Sequence, residues 1–314
     1  MTIRILLAAA FTLTSAWAGG AGWSQNFAAA QKEAAAGQKD LLVDFTGSDW
    51  CSWCIKLNKE VFDHEAFKTG VKDSLLLVEL DYPQDQTKLP AEVRQQNEAL
   101  LKRYPVKGYP TILLCDPDGK PFAATGYQTG GPEKYVEHLN ALRAHKSARD
   151  AAFAKAGEAS GLDQARQLIA ALDAMGLDDG LIQMSYQEIA DKIKAADPKD
   201  ETGYSKKSAG KQRLGVFMEK FGEFQKQKDS AGALAFVNQT LAEKDLPAEF
   251  NQHIHGHKAA LMMYAQKPDE AMKVLEAGIA VAPGSAVAAE LEKFLDFIRK
   301  QKDAPAAPAG TERK

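Results

Sequence analysis

Cysteine is scarce in this chain: three residues in 314, at positions 51, 54 and 115. So few cannot staple a fold of this size, so packing must hold the core. Neither sign of charge dominates, with 39 Lys and Arg against 42 Asp and Glu and a formal net charge of −3. Basic residues are scattered, which leaves no broad positive field for nucleic acid or an anionic membrane surface. No long apolar run follows the N-terminal segment, so no membrane span is expected after it. Metal-ligand sets are also lacking. His253, His255 and His257 form an alternating triplet, but on a helix only His253 and His257 share a face, and no carboxylate follows at ligand spacing. Two ligands leave zinc short of four, so these histidines read as a helix face and no metal is assigned.

What is present begins with a distinct leader. Arg4 supplies a positive start, Ile5 to Leu13 is mostly apolar, and Ala16-Trp17-Ala18 puts small residues at a cleavage site before Gly19. Residues 1–18 therefore read as a secretory signal peptide cut at Ala18/Gly19, and the mature protein is expected to be periplasmic or secreted. No cysteine precedes Cys51, which excludes a lipid-modified N-terminus. Export would place the cysteines where disulfides persist.

The remaining chain, 45% hydrophobic and 26% charged, suits two globular domains. From Trp23 to about Ala144 the hydrophobic period switches between 3.6 and 2. Trp23, Phe27, Ala30 and Ala34 fit one helical face, ending at Gly37. Strands are expected at Asp40–Thr46, Ser74–Asp81, Thr111–Cys115 and Phe122–Thr125, the last two joined by the turn Asp116-Pro117-Asp118-Gly119. Helices are expected from Cys51, over Ala91–Tyr104 behind Pro90, and over Glu133–Ala144. Alternating strands and helices imply parallel pairing, and the hairpin adds an antiparallel edge. From about Lys146 everything reads as helix, with breaks near Gly176, Pro198–Gly203, Asp245–Pro247 and Pro283-Gly284. Ala233, Val237 and Thr240 recur 38 residues later as Ala271, Leu275 and Gly278. This weak repeat resembles a tetratricopeptide unit, whose period is about 34.

Chemistry concentrates in Cys51-Ser52-Trp53-Cys54. An offset of three on a first helical turn puts both sulfurs on one face, close enough to bridge. Cys51 at the helix start faces unpaired N–H groups and the positive end of the helix dipole, both of which favour thiolate. In such motifs the nucleophile's pKa falls to roughly 3.5–7.5, against about 8.5 for a free cysteine. Cys54, one turn on, is placed to attack a mixed disulfide on Cys51. A static disulfide and half a zinc site are the competing readings, and the zinc reading lacks a second cysteine pair. Trp50 and Trp53 flank the pair as candidates for a docking surface. Cys115, in an apolar strand, reads as packing.

Three marks together resemble the thioredoxin family: the strand Leu41-Leu42-Val43-Asp44-Phe45, the helix start Trp50-Cys51-Ser52-Trp53-Cys54, and Gly108-Tyr109-Pro110-Thr111. The resemblance covers about residues 23–145, and the stretch Asp44 to Cys51 is most similar to the exported bacterial thioredoxin-like branch. The resemblance implies a cis-proline at Pro110 beside the cysteines, with Tyr109 facing substrate and Gly126 allowing a second loop close. It also implies that Asp44 is a buried carboxylate able to accept the proton of Cys54. The spacing departs by one extra residue between aspartate and cysteine, and Ser52-Trp53 stand where Gly-Pro is common.

The expected architecture is an α/β thioredoxin fold, a mixed sheet flanked by helices, over 19–147. An all-α, repeat-like domain of helical hairpins follows over 148–300, and a disordered tail over 301–314. The expected function is thiol–disulfide exchange through Cys51 and Cys54 with exported protein substrates, in the reducing direction, fed by an upstream thiol donor and needing no bound cofactor. The alternative is an interaction protein whose helical domain binds a partner, with the thioredoxin fold as platform.

Overall fold

The computed structural model describes residues 22–303. The leader 1–18 with its cut at Ala18/Gly19, and residues 304–314, lie outside the described residues. The chain divides into two compact units, one reaching to Pro198 and the other starting at Lys199.

The first unit is built on a five-stranded sheet. Its strands are β1 (Trp23–Ser24), β2 (Asp40–Thr46), β3 (Leu75–Asp81), β4 (Thr111–Cys115) and β5 (Pro121–Thr125), in spatial order β1-β3-β2-β4-β5. The first three run parallel; β4 is antiparallel to β2 and β5 to β4. Central β2 is buried along its whole length, which explains its near-continuous apolar run. Helices α1 (Phe27–Gly37), α2 (Ser52–Leu57), α3 (Glu65–Val71), α4 (Ala91–Arg103) and α5 (Gly131–Glu158) flank the sheet, with a π-helical turn at Asn58–Phe62 after α2. On one side Leu41, Val43 and Phe45 pack with Phe27, Ala30, Ala34, Leu100 and Tyr104 from α1 and the end of α4. An aromatic cluster of Phe62, Phe67 and Tyr135 joins the π-turn, α3 and α5.

Two expectations change here. Trp23 lies in β1, paired with Leu77 of β3, and not on the first helix; Asn26 starts that helix by accepting the N–H of Ala29 at 2.9 Å. An N-cap side chain with a free acceptor sets the helix start more firmly than the apolar period does. The change at residue 147 also falls inside α5, which runs unbroken to Glu158. Helices α6 (Gly161–Ala174), α7 (Asp179–Ser185) and α8 (Gln187–Ala196) complete the first unit. Leu181 of α7 joins the core cluster of Leu41 and Tyr104. Tyr186, 1% exposed, donates to the Pro121 carbonyl at 2.8 Å, and Arg149 bonds both Asp116 at 3.0 Å and the Tyr186 hydroxyl at 2.9 Å.

The second unit is all helix: α9 (Tyr204–Gln227), α10 (Ser230–Leu241), α11 (Ala248–Tyr264), α12 (Pro268–Val281) and α13 (Ala286–Asp303). The predicted tail start at 301 thus falls within α13. The repeated positions Ala233, Val237 and Thr240 are the buried residues of α10, and Ala271, Leu275 and Gly278 are those of α12. Gly278 is small for a reason, since a Cβ there would stand 2.7 Å from Cβ of His255 on α11. Among the described residues no helix is long and apolar enough to cross a membrane, and no cluster of His, Cys, Asp and Glu suits a metal ion.

Candidate active site

Cys51 follows the C-terminal end of β2, where open α/β sheets gather their chemistry. It is the N-cap of α2, with extended backbone, and its Sγ accepts the N–H of Cys54 at 3.1 Å. The two cysteines are bridged, with their Cα atoms 5.2 Å apart. Both are buried, Cys51 at 6% exposure and Cys54 at 2%. Cys115 is a free, buried thiol on β4, and burial pushes its pKa up, away from thiolate.

The loop Gly47–Trp50 is pinned to the end of β3. Ser48 donates to the Asp81 carboxylate through its N–H at 2.8 Å and its hydroxyl at 2.6 Å. Asp49 accepts the N–H of Gln84 at 2.9 Å and pairs with Lys88 at 2.8 Å, a bond that holds the Asp49 carboxyl below its usual range. The extra residue between Asp44 and Cys51 is thus absorbed in a braced turn. Trp50 donates its Nε1–H to the Tyr82 carbonyl at 2.8 Å and lies edge-on to Tyr109.

The Tyr109–Pro110 bond is cis. The Trp50–Tyr109 contact joins this loop to the one entering Cys51. Gly126 sits against it as well: a Cβ there would stand 3.2 Å from the Pro110 carbonyl oxygen. Tyr135 steadies the same turn by donating to the Gly126 carbonyl at 3.0 Å. On the outer side Trp53, 54% exposed, packs against Tyr127 with centroids 5.2 Å apart. Lys56 lies over both rings, and the Tyr127 hydroxyl donates to Glu60 at 2.5 Å. Tyr127, Lys56 and Glu60 carry no motif and join the site only through the fold. So does Gly47, where a Cβ would collide with the Trp50 ring at 2.5 Å.

Asp44 is buried at 2% exposure on β2, with Oδ1 lacking any hydrogen-bond partner. Burial first, then the carboxylates Glu79 and Asp81, push its carboxyl well above the usual aspartate range. A buried acid of this kind holds a proton that an exposed aspartate would have lost.

A bridged Cys-x-x-Cys pair at a helix N-terminus on a mixed thioredoxin-type sheet, beside a cis-proline loop, defines a thiol–disulfide oxidoreductase. Comparison with known proteins agrees. Residues 27–143 match the model of the thioredoxin-like domain. Disulfide bond reductase DsbH of Chlamydia pneumoniae is 36% identical over 115 residues, covering 37% of this chain and 69% of that protein. Thioredoxin-related protein DsbJ of the same organism is 30% identical over 92 residues, covering 29% of this chain and 26% of that one. A solved DsbH oxidoreductase shares 35% identity, covering 38% of this chain and 81% of its own, with a TM-score of 0.36. The chain belongs to the thioredoxin-like family, as a relative of DsbH.

Proposed function

We propose that this protein reduces disulfides in exported proteins. The observation that carries the reading is the bridged Cys51–Cys54 pair at the mouth of α2, framed by the cis-proline loop and by exposed aromatics. The 36% identity to a protein named for disulfide bond reduction supports the direction. In the reduced enzyme Cys51 is the nucleophile. Its sulfur already accepts the Cys54 N–H and sits at the positive end of the α2 dipole, both of which stabilise thiolate. Attack on a substrate disulfide breaks that bond, forms a Cys51 mixed disulfide and releases one substrate thiolate. Cys54 then gives its proton to Asp44 and attacks Cys51, which closes the pair and frees the second substrate sulfur.

The substrate needs a backbone to pair with and a surface to rest on. Pro110 and Tyr109 offer the first, with Gly126 keeping the neighbouring turn close; an extended segment would add there as a strand does. Trp50 and Trp53 offer the second. An upstream dithiol donor restores the reduced pair, and the leader ending at Ala18 delivers the protein to the periplasm or outside the cell. The helical hairpins of the second unit select among substrates. The platform alternative has no comparable arrangement in its favour, since a platform needs neither a bridged pair nor a cis-proline loop beside it.

The reduction potential of Cys51–Cys54, equilibrated against glutathione or a thioredoxin, tests the direction. A reductase is expected near thioredoxin's value of about −270 mV; a value near about −120 mV would assign the protein to oxidation instead.

A further inference from the structure

Asp44 does not stand alone in the sheet. In the parallel pairing of β2 with β3 its register partner is Glu79. Residues in register on neighbouring strands point to the same face, about 4.8 Å apart along the hydrogen-bonding direction. Two carboxyls are therefore side by side on the face away from Leu41, Val43 and Phe45. Glu79 is half-buried, and its Oε2 accepts from Nε2 of Gln25 at 3.4 Å. Gln25 is itself buried and follows directly on β1, the strand at the sheet edge beside β3.

Among the described residues, the groups that act on Asp44 and Glu79 include no cation. From β3, Asp81 acts on both carboxyls, and from α5 the Tyr135 phenol faces Asp44. On β4 the register partner of Asp44 is Ile112, which does not titrate. Lys56 of α2 belongs to the exposed cluster over Trp53 and Tyr127, where it also meets Glu60. Two neighbouring carboxyls, one buried and one half-buried, cannot both ionise cheaply without a cation beside them. Asp44, the deeper of the two and with an unpartnered oxygen, is the natural seat for a proton, held there first by burial and then by the neighbouring charge of Glu79.

We propose that Glu79 is a positioning residue for the exchange reaction: held by Gln25 beside Asp44, it keeps one proton on the pair while Cys51–Cys54 is a disulfide. The inference rests on the reading of Asp44 as proton acceptor and adds what sets its affinity. When a donor dithiol reduces the enzyme, its two electrons break the Cys51–Cys54 bond and its two thiol protons leave to solvent as it becomes a disulfide; Cys51 is released as thiolate, and the stored proton passes from Asp44 to the Cys54 sulfur. When the enzyme reduces a substrate, Cys54 returns that proton to Asp44. Its thiolate then forms the bond to Cys51 as the bond from Cys51 to substrate breaks, and the substrate leaves as thiolate. Burial of both side chains, and the mutual repulsion of their charges, raise the proton affinity of each.

Carboxyl 13C NMR titration of the full-length oxidised protein, labelled at Asp and Glu, reads this directly, because the bridged cysteines do not titrate. Asp44→Asn and Glu79→Gln assign the two resonances. In the unaltered protein both should show two inflections at shared apparent values, as coupled sites do. Glu79→Gln should move the Asp44 midpoint to lower pH, and Asp44→Asn should move that of Glu79 the same way, since coupling is reciprocal. Single, independent inflections in the unaltered protein, or an Asp44 midpoint indifferent to Glu79→Gln, would overturn the inference. A separate arm tests the underlying reading: Asp44→Asn should slow resolution of a preformed Cys51 mixed disulfide with glutathione. An unchanged rate there would remove the role of Asp44, whereas a slowed rate with an unmoved titration would remove the role of Glu79 alone.

Discussion

Trp50 and Tyr109 meet edge-on, with ring centroids 5.4 Å apart and planes at 73°. The contact ties the residue before Cys51 to the residue before the cis-proline, so the two loops of the site are fixed against each other. Such pairs stabilise by about 0.5–1.5 kcal/mol beyond their buried area. Gly47 makes the arrangement possible by leaving room for the Trp50 ring. Gly47→Ala should therefore displace Trp50, destabilise the fold by about 1–3 kcal/mol, and lower kcat/KM for protein disulfides. Urea unfolding and turnover of a protein disulfide check this. An unchanged midpoint and rate would show that the ring moves aside freely.

A second prediction concerns Asp44 and pH. Its carboxyl is raised in the fold above the unfolded value near 3.8. The native state then binds the proton more tightly than the unfolded chain does. Its stabilising contribution is complete below the unfolded value and is lost as pH rises through the folded one. Asp44→Asn should accordingly be more stable than the parent at pH 7 to 8, with the advantage shrinking towards pH 4. Urea midpoints across that range measure it, and a constant difference would mean that Asp44 is ionised throughout.

The motif residues were legible because their geometry is local. A Cys-x-x-Cys offset on a helix start places both sulfurs together whatever surrounds them, and β2 shows as an apolar run broken only by Asp44. The burial of Asp44 and the cis bond before Pro110 are foreseen through a resemblance that also rests on local strings. Tyr127 and Glu79 do not show in the sequence because they reach the site by strand order, while Lys56 and Glu60, close to Cys54 in sequence, meet Tyr127 only in the fold. Trp23 was misplaced for the same reason, its partner Leu77 lying on a distant strand. The sequence alone does not mark the end of the first unit at Pro198, because helices read alike. Leu181 in the core cluster of Tyr104, Tyr186 on the Pro121 carbonyl and Glu188 on Lys120 place α7 and α8 with the sheet, and none of these contacts is visible in the sequence.

Those same contacts predict where the chain can be cut. A fragment ending near Pro198 should fold and keep the redox activity of the cysteine pair. One ending at residue 147 loses Arg149, Leu181 and Tyr186, leaving Asp116 and the Pro121 carbonyl without their partners. The cut also strips Leu181 from the core cluster and uncovers the apolar surface beneath it, so the shorter fragment should be unstable or unfolded. Circular dichroism and urea unfolding of both fragments decide it. Equal stability would return the boundary to residue 147.

Cys115 should be silent in the folded protein. It is fully buried, and its thiol is driven away from the reactive thiolate. Alkylation of the oxidised protein should label it only after denaturation, while reductant should add Cys51 and Cys54. Rapid native labelling of Cys115 would mean that β4 opens to solvent.

The last prediction separates an exchange enzyme from a platform. Cys54→Ser keeps the Cys51 nucleophile but removes the sulfur that resolves the mixed disulfide. Thiol–disulfide exchange must pass through that covalent intermediate. With the internal route gone, release depends on slower attack by an outside thiol. Cells exporting Cys54→Ser should therefore accumulate adducts between this protein and its substrates, released by reductant and absent with Cys51→Ser. The adducts would identify the substrates, and a further change of Trp53 or Tyr127 to Ala should reduce their yield if the aromatic rim grips the substrate. If Cys54→Ser gathers no adducts while the second helical unit still retains partners without any cysteine, the exchange reading gives way to the platform.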